Sequence, residues 1–194
     1  HFPCAPKVWN IETGALVSSL PEIQLLKKGF LPLIYEAQFS KNDDSLLLNI
    51  KATRGEVTKN GYSMNSEGQY GELSLWNLNS GNFIYKVKNT VGYIHDIKYD
   101  SDGNQFAYSN EQGEINIIES NTGKLLRKIK NNRTVSSLLI NHAENVLIAG
   151  SEDGLISWYD LADGKLIRRI SAHQNTINTL QYSIDGSLLI SGAM

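Results

Sequence analysis

The sequence contains a single cysteine, Cys4, and no marked excess of charge of either sign. One cysteine cannot form an internal disulfide, which favours a reducing, intracellular location, cytoplasmic or nuclear. Eighteen basic and twenty acidic residues leave a formal net charge of −2, so no overall field attracts the chain to nucleic acid or to an anionic membrane. No apolar run reaches the roughly eighteen residues of a membrane span. These absences argue against a disulfide framework and a helical membrane protein.

The sequence also lacks the motifs of catalysis and of cofactor binding. Its four histidines, His1, His95, His142 and His173, form neither an i, i+4 pair nor a Cys-His cluster for a metal. No nucleophile elbow, phosphate-binding loop or dinucleotide fingerprint occurs. We therefore expect no enzymatic activity, no cofactor and no metal site.

An internal repeat is present instead. One glycine follows a short β-rich segment and a polar turn, and it recurs at Gly14, Gly81, Gly123 and Gly164. A second motif, with an apolar residue, a tight turn and another apolar strand, begins at Phe39, Tyr99, Ile140 and Tyr182. The last two spacings of each series are 41 or 42 residues. The longer first spacings share one cause, an insertion at about residues 52–70.

Each repeat unit has the pattern of four short β-strands. In one unit the β-type segments are 134–140, 145–151, 155–161 and 165–171, separated by turn-forming residues. Antiparallel strands that recur in this way predict an all-β fold, a β-propeller of four-stranded blades. The predicted units are the end of a first blade at 7–20, a blade with the insertion at 33–88, blades at 91–129 and 134–171, and the start of a further blade at 176–194.

Two stretches at the predicted outer edges of blades are almost the same: TGKLLRKIKNN from Thr122 and DGKLIRRISAH from Asp163. Charged residues on an outer strand discourage pairing with the exposed edges of other chains. We expect Leu125 and Leu166 to point inward. We expect the basic pairs Arg127-Lys128 and Arg168-Arg169 to line the rim.

The repeat units resemble WD40 repeats. The matching segments are VWN at Val8–Asn10, LWN at Leu75–Asn77, SEDGLISWYD at Ser151–Asp160, and the stretch Ala172–Gly192. The resemblance implies a buried network in each blade that links a His, a Ser or Thr, an Asp and the Trp. Its positions are filled by Trp9, Trp76, Asp153, Tyr159, His173 and Ser191. Because Asn131 stands at a His position, we expect no unit to contain the complete network.

The resemblance also implies the class of function: a non-enzymatic protein-interaction scaffold, a subunit of a larger intracellular complex whose partners are proteins or peptides. Such propellers bind partners on the face that carries the middle turns and the loops between blades. The expected partner-binding residues are Tyr93, Glu111, Arg133, Glu152 and Asn175, with Tyr62 and Tyr70 in the insertion, which is expected to be a loop. The alternative is a phosphoinositide- or nucleic-acid-binding propeller that uses basic rim residues, although nucleic acid is the less expected partner.

The number of strands bears on how much of a ring is present. The chain begins in a third strand at Lys7–Trp9 and stops in a second strand at Leu188–Met194. Sixteen strands permit a closed four-bladed ring, but the family that the repeats resemble usually closes with seven blades. We therefore expect about four blades' worth of a seven-bladed ring, with ends covered by further sequence or by another chain.

Overall fold

The computed structural model consists of β-strands and turns, with no helix in the residues that it describes. Those residues are 5–25, 30–58, 61–87, 92–141, 144–183 and 185–194, with the backbone alone at 55–58 and 61–69. The prediction of an all-β fold built from four-stranded antiparallel sheets is confirmed. The chain divides into two units, His1–Tyr93 and Ile94–Met194, each with its own sheets and core.

The first unit holds one small and one large sheet. Strands β1 (Lys7–Trp9) and β2 (Leu16–Ser19) pair with each other. The large sheet has the order β3 (Phe30–Phe39), β4 (Ser45–Thr58), β5 (Gly61–Asn77) and β6 (Phe83–Lys86). Its core is apolar because alternate residues of β4 turn to one face, where they meet a short segment after β2. The buried side chains of this core are Leu20, Ile23, Leu46, Leu48, Ile50, Trp76 and Leu78.

The second unit repeats the same sheet twice and then begins it again. One sheet contains β7 (Ile94–Tyr99), β8 (Gln105–Asn110), β9 (Glu114–Glu119) and β10 (Leu125–Lys130). The next contains β11 (Val135–Asn141), β12 (Val146–Ser151), β13 (Leu155–Asp160) and β14 (Leu166–Ser171). Strands β15 (Ile177–Tyr182) and β16 (Leu189–Ala193) form a two-stranded sheet.

The sheets of the second unit pack face to face. Strands β8 and β12 are buried along almost their whole length, which explains their continuous runs of small and aliphatic residues. One core joins β8 and β9 to β11 and β12, and another joins Ile148 and Trp158 to Ile177 and Leu180. Each large aliphatic side chain that is fully buried contributes about 1.5–3 kcal/mol to folding. A buried carboxylate adds a polar link, because Asp96 Oδ2 accepts the backbone N–H of Leu138 at 2.7 Å.

The recurring glycine has a conformational cause. Gly14, Gly81, Gly123 and Gly164 all have φ between 67° and 76°, a left-handed conformation in the turn between the third and fourth strands. The polar residue at the end of the third strand closes the same turn. In the last full sheet, Asp160 Oδ1 accepts the backbone N–H groups of Ala162 and Asp163. The pattern of a polar residue followed four positions later by glycine is therefore a turn signature.

The insertion is a correction to the sequence analysis. It is not a loop, because residues 52–58 and 61–70 continue β4 and β5 as one long antiparallel hairpin, which extends to the pair Thr58↔Gly61. β3 pairs with β4 only as far as Arg54, so the outer part of the hairpin is a two-stranded ribbon. The sequence carried a signal for this, since Asn60-Gly61 is a strong hairpin-turn dipeptide between β-branched and aromatic residues.

Candidate interaction face

One edge of the second unit carries the turns after β8 and β12 and the segments that lead into β11 and β15. We call it the junction edge. A row of hydrogen bonds crosses it from sheet to sheet. Thr134 Oγ1 donates to the Glu111 carbonyl at 3.3 Å, and the Glu152 N–H donates to the Thr134 carbonyl at 3.0 Å. Thr176 Oγ1 then donates to the Glu152 carbonyl at 3.3 Å. Equivalent residues therefore repeat the same contact 41 or 42 positions apart.

Two glycines allow the chain to approach itself closely at this edge. Gly113 has φ +71°, and a Cβ there would lie 2.7 Å from the Arg133 carbonyl oxygen. Gly154 has φ +76°, and a Cβ there would lie 2.1 Å from the His173 carbonyl oxygen. Both neighbours are backbone atoms, which cannot rotate away as a flexible side chain can. Glycine is thus required both for its conformation and for its lack of a side chain.

Four of the predicted partner-binding residues lie on the junction edge. Glu111 and Glu152 follow β8 and β12, Arg133 precedes β11, and Asn175 precedes β15. All four residues are exposed. Their backbones are held by the hydrogen bonds and close contacts just described, and the amide nitrogen of Asn175 donates to the Met194 carbonyl at 3.1 Å. The edge therefore presents two carboxylates, a guanidinium and an amide on a backbone with little freedom.

Tyr93, the fifth predicted residue, belongs to the first unit. The Lys51 ammonium lies 4.4 Å from the centre of the Tyr93 ring and 4.7 Å from that of Tyr35, within the range of cation–π attraction. In the repeat, Lys51 occupies the position of Glu111 and Glu152, and it precedes the insertion as those residues precede their turns. Tyr93 occupies the position of Thr134 and Thr176. The contact at this position of the first unit is therefore a cation–π contact. The two equivalent contacts of the second unit are hydrogen bonds from a threonine hydroxyl to a glutamate carbonyl.

The two insertion tyrosines have different outcomes. The side chain of Tyr62 lies outside the described residues, and its backbone pairs with Val57 near the end of the hairpin. Tyr70 is only 7% exposed, so the prediction that it contacts a partner is wrong. Its hydroxyl donates to Glu72 Oε1 at 2.9 Å, and its ring meets Phe30 edge to face at 5.1 Å. Tyr70 therefore stabilises the base of the hairpin.

A polar network that the sequence analysis did not anticipate lies in the sheet β11–β14. Tyr159 donates from its hydroxyl to Asn131 Oδ1 at 2.8 Å, and Arg169 Nη2 donates to the same oxygen at 3.1 Å. Arg169 Nε also donates to Ser157 Oγ at 2.8 Å. Asn131 is buried, and its amide nitrogen donates to the Arg133 carbonyl, so the network ends directly beneath the junction edge. A Tyr and an Asn thus interact where the resemblance would place a Trp and a His.

The cation at the position of Arg169 has counterparts in the other sheets. At the equivalent position of each strand pair, Lys86 lies opposite Ser74, Lys128 opposite Asn116 and Arg169 opposite Ser157. Lys86 Nζ lies 2.8 Å from Glu72 Oε2, and Lys128 Nζ lies 3.0 Å from Glu114 Oε1. The hydrogen bond from Lys128 lowers the pKa of the Glu114 carboxyl. In β6, β10 and β14 the basic residue at this position therefore reaches back into its own sheet.

The remaining network residues are local. Trp76 Nε1 donates to Ser74 Oγ at 2.9 Å, Ser151 Oγ donates to Asp153 Oδ1 at 2.6 Å, and His173 Nε2 lies 2.8 Å from Ser191 Oγ. Trp9 is 54% exposed, so the structure does not place it in a buried network. Trp9 lies in the two-stranded sheet β1-β2, and its place in a blade network stays a prediction.

The outer strands also differ from the expectation. Leu125 and Leu166 do not point inward, because both are about half exposed. Of the basic pairs, Arg127 Nη1 donates to the Leu161 carbonyl at 2.6 Å, and the Arg168 guanidinium lies 4.0 Å from the centre of the Trp158 ring. With Arg169 engaged as well, the guanidinium groups hold protein contacts. The alternative of a phosphoinositide- or nucleic-acid-binding rim gains no support.

In the part of the chain that the structure describes, no three His, Cys, Asp or Glu side chains come together as a metal site would require. Nor do these residues include any helix of sufficient length and apolarity to cross a membrane.

Comparison with known proteins agrees with the repeat geometry. The family model for the WD40 domain of anaphase-promoting complex subunit 4 matches residues 68–139 and 127–185, which together make up more than half of the chain. The chain belongs to the WD40-repeat family. Its three four-stranded sheets are blades of a β-propeller, and the shorter sheets are parts of blades.

Individual WD40 relatives are distant. Eukaryotic translation initiation factor 3 subunit I of Bombyx mori is 25% identical over 136 residues, which cover 63% of this chain and 41% of that protein. A WD repeat domain-containing protein 83 homolog of Dictyostelium discoideum is 28% identical over 109 residues, 55% of this chain and 33% of that protein. The chain thus spans less than half the length of these two relatives. The crystal structure of the computationally designed Ika4 protein superposes with a TM-score of 0.65 at 19% identity, over 88% of this chain and 92% of that one, which supports the fold alone.

Proposed function

We propose that this WD40 chain is a non-catalytic scaffold whose junction edge binds a protein or peptide partner within an intracellular assembly. The observation that carries the proposal is the hydrogen-bonded row Glu111–Thr134–Glu152–Thr176, which fixes exposed side chains on a rigid support. A rigid support lowers the conformational entropy that a partner must overcome on binding. Charged side chains of both signs then give selectivity by electrostatic complementarity.

The names of relatives give the proposal its setting. Relatives named subunit I of translation initiation factor 3 are, by that name, members of a multi-subunit factor, and one from Drosophila willistoni is 21% identical over 96% of this chain. A subunit of such an assembly needs surfaces for neighbouring subunits, and it needs no catalytic site. We assign this chain the same kind of role, as one subunit among several.

The hairpin of the first unit supplies a second contact surface. Beyond Arg54 its two strands pair only with each other in the described residues, so the ribbon carries free backbone edges. Tyr70 and Phe30 pack at its base, and Lys51 is held between Tyr35 and Tyr93. A ribbon anchored in this way offers a partner a defined shape without disturbing the sheet from which it extends.

The junction edge is tested by one combined variant and one matched control. The variant replaces Glu111, Arg133, Glu152 and Asn175 with alanine. The control replaces Asp102, Asn104, Glu144 and Gln181, exposed residues in the β7–β8 and β11–β12 turns and on β15, with alanine.

Tagged wild type, variant and control are used for affinity capture from cells, followed by quantitative mass spectrometry. We expect recovery of at least one partner to fall about tenfold with the variant, because an Arg at the centre of an interface can contribute about 2 kcal/mol. The control should retain that partner. Equal recovery of every partner by all three proteins would rule out the junction edge as the interface.

A second variant shortens the hairpin by deleting 55–65 and joining the strands with a two-residue turn. The thermal midpoint is expected to stay near that of wild type, since β3 does not pair with the deleted part of β4. Loss of a partner that the junction variant retains would assign that partner to the hairpin.

A further inference from the structure

The two shorter sheets hold complementary halves of a blade. β1 and β2 flank the turn with Gly14, which in the complete blades separates the third strand from the fourth. β15 and β16 flank the motif that begins at Tyr182, which corresponds to the turn between the first and second strands. In the described residues the two halves are separate sheets, and β1 and β16 each pair on one side only.

Strand β16 has the composition of a strand that is covered on both sides. Residues 186–194 contain no charged residue. Its counterparts β8 and β12 are also uncharged, and each pairs with a strand on both sides. By contrast, the fourth strands of the three complete blades all carry Lys or Arg, which discourages unwanted pairing at an open edge. The open edge of β16 lacks this protection.

The face of β16 is uncovered as well. Ile190 is 68% exposed, whereas the residues at its position in the complete blades, Leu47, Ala107 and Ile148, are at most 2% exposed. Side chains at this position are therefore buried whenever a third strand and a following sheet are present. Ile190 lacks both kinds of cover in the described residues.

A glycine shows what the missing cover looks like. A Cβ on Gly150 of β12 would lie 2.7 Å from Cγ2 of Ile177, which belongs to the next sheet. Gly192 occupies the same position of β16, but a Cβ there would meet only Thr179 of its own sheet. The surface over Gly192 is therefore an open site of the kind that Ile177 fills over Gly150.

The first unit has the opposite exposed surfaces. Trp9 on β1 is 54% exposed, and Ile34 on β3 is 36% exposed. The residues at the position of Trp9 in the complete blades are all buried: Trp76, Ile118 and Tyr159. The residues at the position of Ile34 in the later first strands are also buried: Ile94, Val135 and Ile177. Ile34 is thus the counterpart of the side chain that covers Gly150.

The register between a second and a third strand is the same in all three complete blades. The opposed pairs are Leu47↔Leu75, Ala107↔Ile117 and Ile148↔Trp158. The equivalent residues of the two halves are Ile190 on β16 and Val8 on β1. The same register places Lys7 opposite Ser191, so the single charge of β1 would meet a neutral side chain.

We propose that β1 of a second copy of this chain pairs with β16, so that two strands from each copy complete one blade. Val8 of the second copy then lies opposite Ile190, and Ile34 of the second copy packs over Gly192. Both halves are present in every copy, so this pairing needs no other protein. It extends the scaffold role and does not depend on the residues tested at the junction edge.

Disulfide cross-linking tests the register. Residues opposite each other in an antiparallel pair have Cα atoms about 4.5–5.5 Å apart, within the range of a disulfide. Val8→Cys and Ile190→Cys are introduced into separate chains, each with Cys4→Ser and each with a different tag. The chains are co-expressed, purified through both tags in turn and oxidised with diamide. The matched control pairs Val8→Cys with Leu189→Cys, because successive side chains of a strand point to opposite faces.

The Val8→Cys and Ile190→Cys chains are expected to form a disulfide-linked pair, and the control at least tenfold less of it. Light scattering after size-exclusion chromatography should give the wild type the mass of two chains. Ile190→Lys should reduce it to the mass of one chain. Ile167→Lys, at an exposed position of β14 outside this interface, should leave it unchanged. Both lysine variants should keep a thermal midpoint near that of wild type, since both side chains are exposed in the single chain.

Several results would overturn the proposal: a one-chain mass for the wild type, equal cross-linking of the control pair, or a one-chain mass for both lysine variants. A chain that carries both Val8→Cys and Ile190→Cys and forms the disulfide within itself would also reject it, because a second copy would then not be the occupant. None of these measurements changes Glu111, Arg133, Glu152 or Asn175, so failure here is distinct from failure of the junction edge.

Discussion

Gly154 is the position where a single methyl group should have the largest effect on the junction edge. The residue has φ +76°, and a Cβ would lie 2.1 Å from the His173 oxygen, 2.6 Å from the His173 carbonyl carbon and 3.1 Å from the Asn175 oxygen. The left-handed conformation alone costs alanine about 1 kcal/mol relative to glycine. Displacing the backbone that the methyl group meets costs about 1–3 kcal/mol more. Gly154→Ala should therefore lose about 2–4 kcal/mol of unfolding free energy.

Gly186→Ala separates these two contributions. Gly186 has φ +72°, but a Cβ there would have no heavy atom within 4 Å. This variant should lose only the conformational cost, about 1 kcal/mol. Urea denaturation gives the two free energies of unfolding, and the midpoint of thermal unfolding should fall by about 2–4 °C for each kcal/mol lost.

A local measurement checks the mechanism. The Ala172 and His173 N–H groups both donate to the Gly154 carbonyl at 3.1 Å, and the methyl group must push this segment away. Hydrogen exchange of the amides at 172–176 should therefore become faster in Gly154→Ala and stay unchanged in Gly186→Ala. Equal stability losses in the two variants would refute the close approach at this turn.

Asn131→Ala should cost about 2–3 kcal/mol in urea denaturation, because a buried hydroxyl and a guanidinium lose their acceptor, and the cost should be smaller in a Tyr159→Phe background. Tyr93→Leu should cost about 0.5–1 kcal/mol in the same assay, because it removes the ring that attracts Lys51. A carbon-13 NMR titration should place the pKa of Asp185 at about 2, since serine hydroxyls and a backbone N–H donate to its carboxylate. Because this pKa is depressed in the folded state, its stabilising effect is present above the ordinary value of 3.8 and is lost as pH falls towards 2. Removal of either serine hydroxyl should raise it.

The sequence predicted the repeat and the strand type because both depend on neighbours along the chain. The glycine at position 164 and the carboxylate of Asp160 close one turn between them, so their spacing is visible without a structure. The exposed positions of Glu111 and Glu152 were also predictable, since each follows an apolar strand and precedes a glycine turn. Local chemistry of this kind repeats in the sequence wherever the turn repeats.

Other features depend on residues far apart in the chain. Arg169 lies 38 residues from its acceptor Asn131, and nothing in the segment around either residue indicates the other. The burial of Tyr70 needs Phe30, which belongs to a different strand of the same sheet. The hairpin is a different kind of miss. Its turn signal was local, but the glycine-rich and asparagine-rich composition of the segment favoured a loop interpretation.

The repeated sequence Gly-Lys-Leu-aliphatic-basic-basic-Ile therefore combines two structural roles within one strand. The bulge at its start turns two aliphatic residues outward and sets the register of the basic residues that follow. The second basic residue, Lys128 or Arg169, then reaches a polar partner on the neighbouring strand or beneath the junction edge. The outward residues Leu125, Leu126, Leu166 and Ile167 are about half exposed. Exposed aliphatic residues on a strand edge increase the risk of unwanted pairing. The basic pairs beside them, Arg127-Lys128 and Arg168-Arg169, oppose such pairing, because charged side chains on an edge strand discourage it.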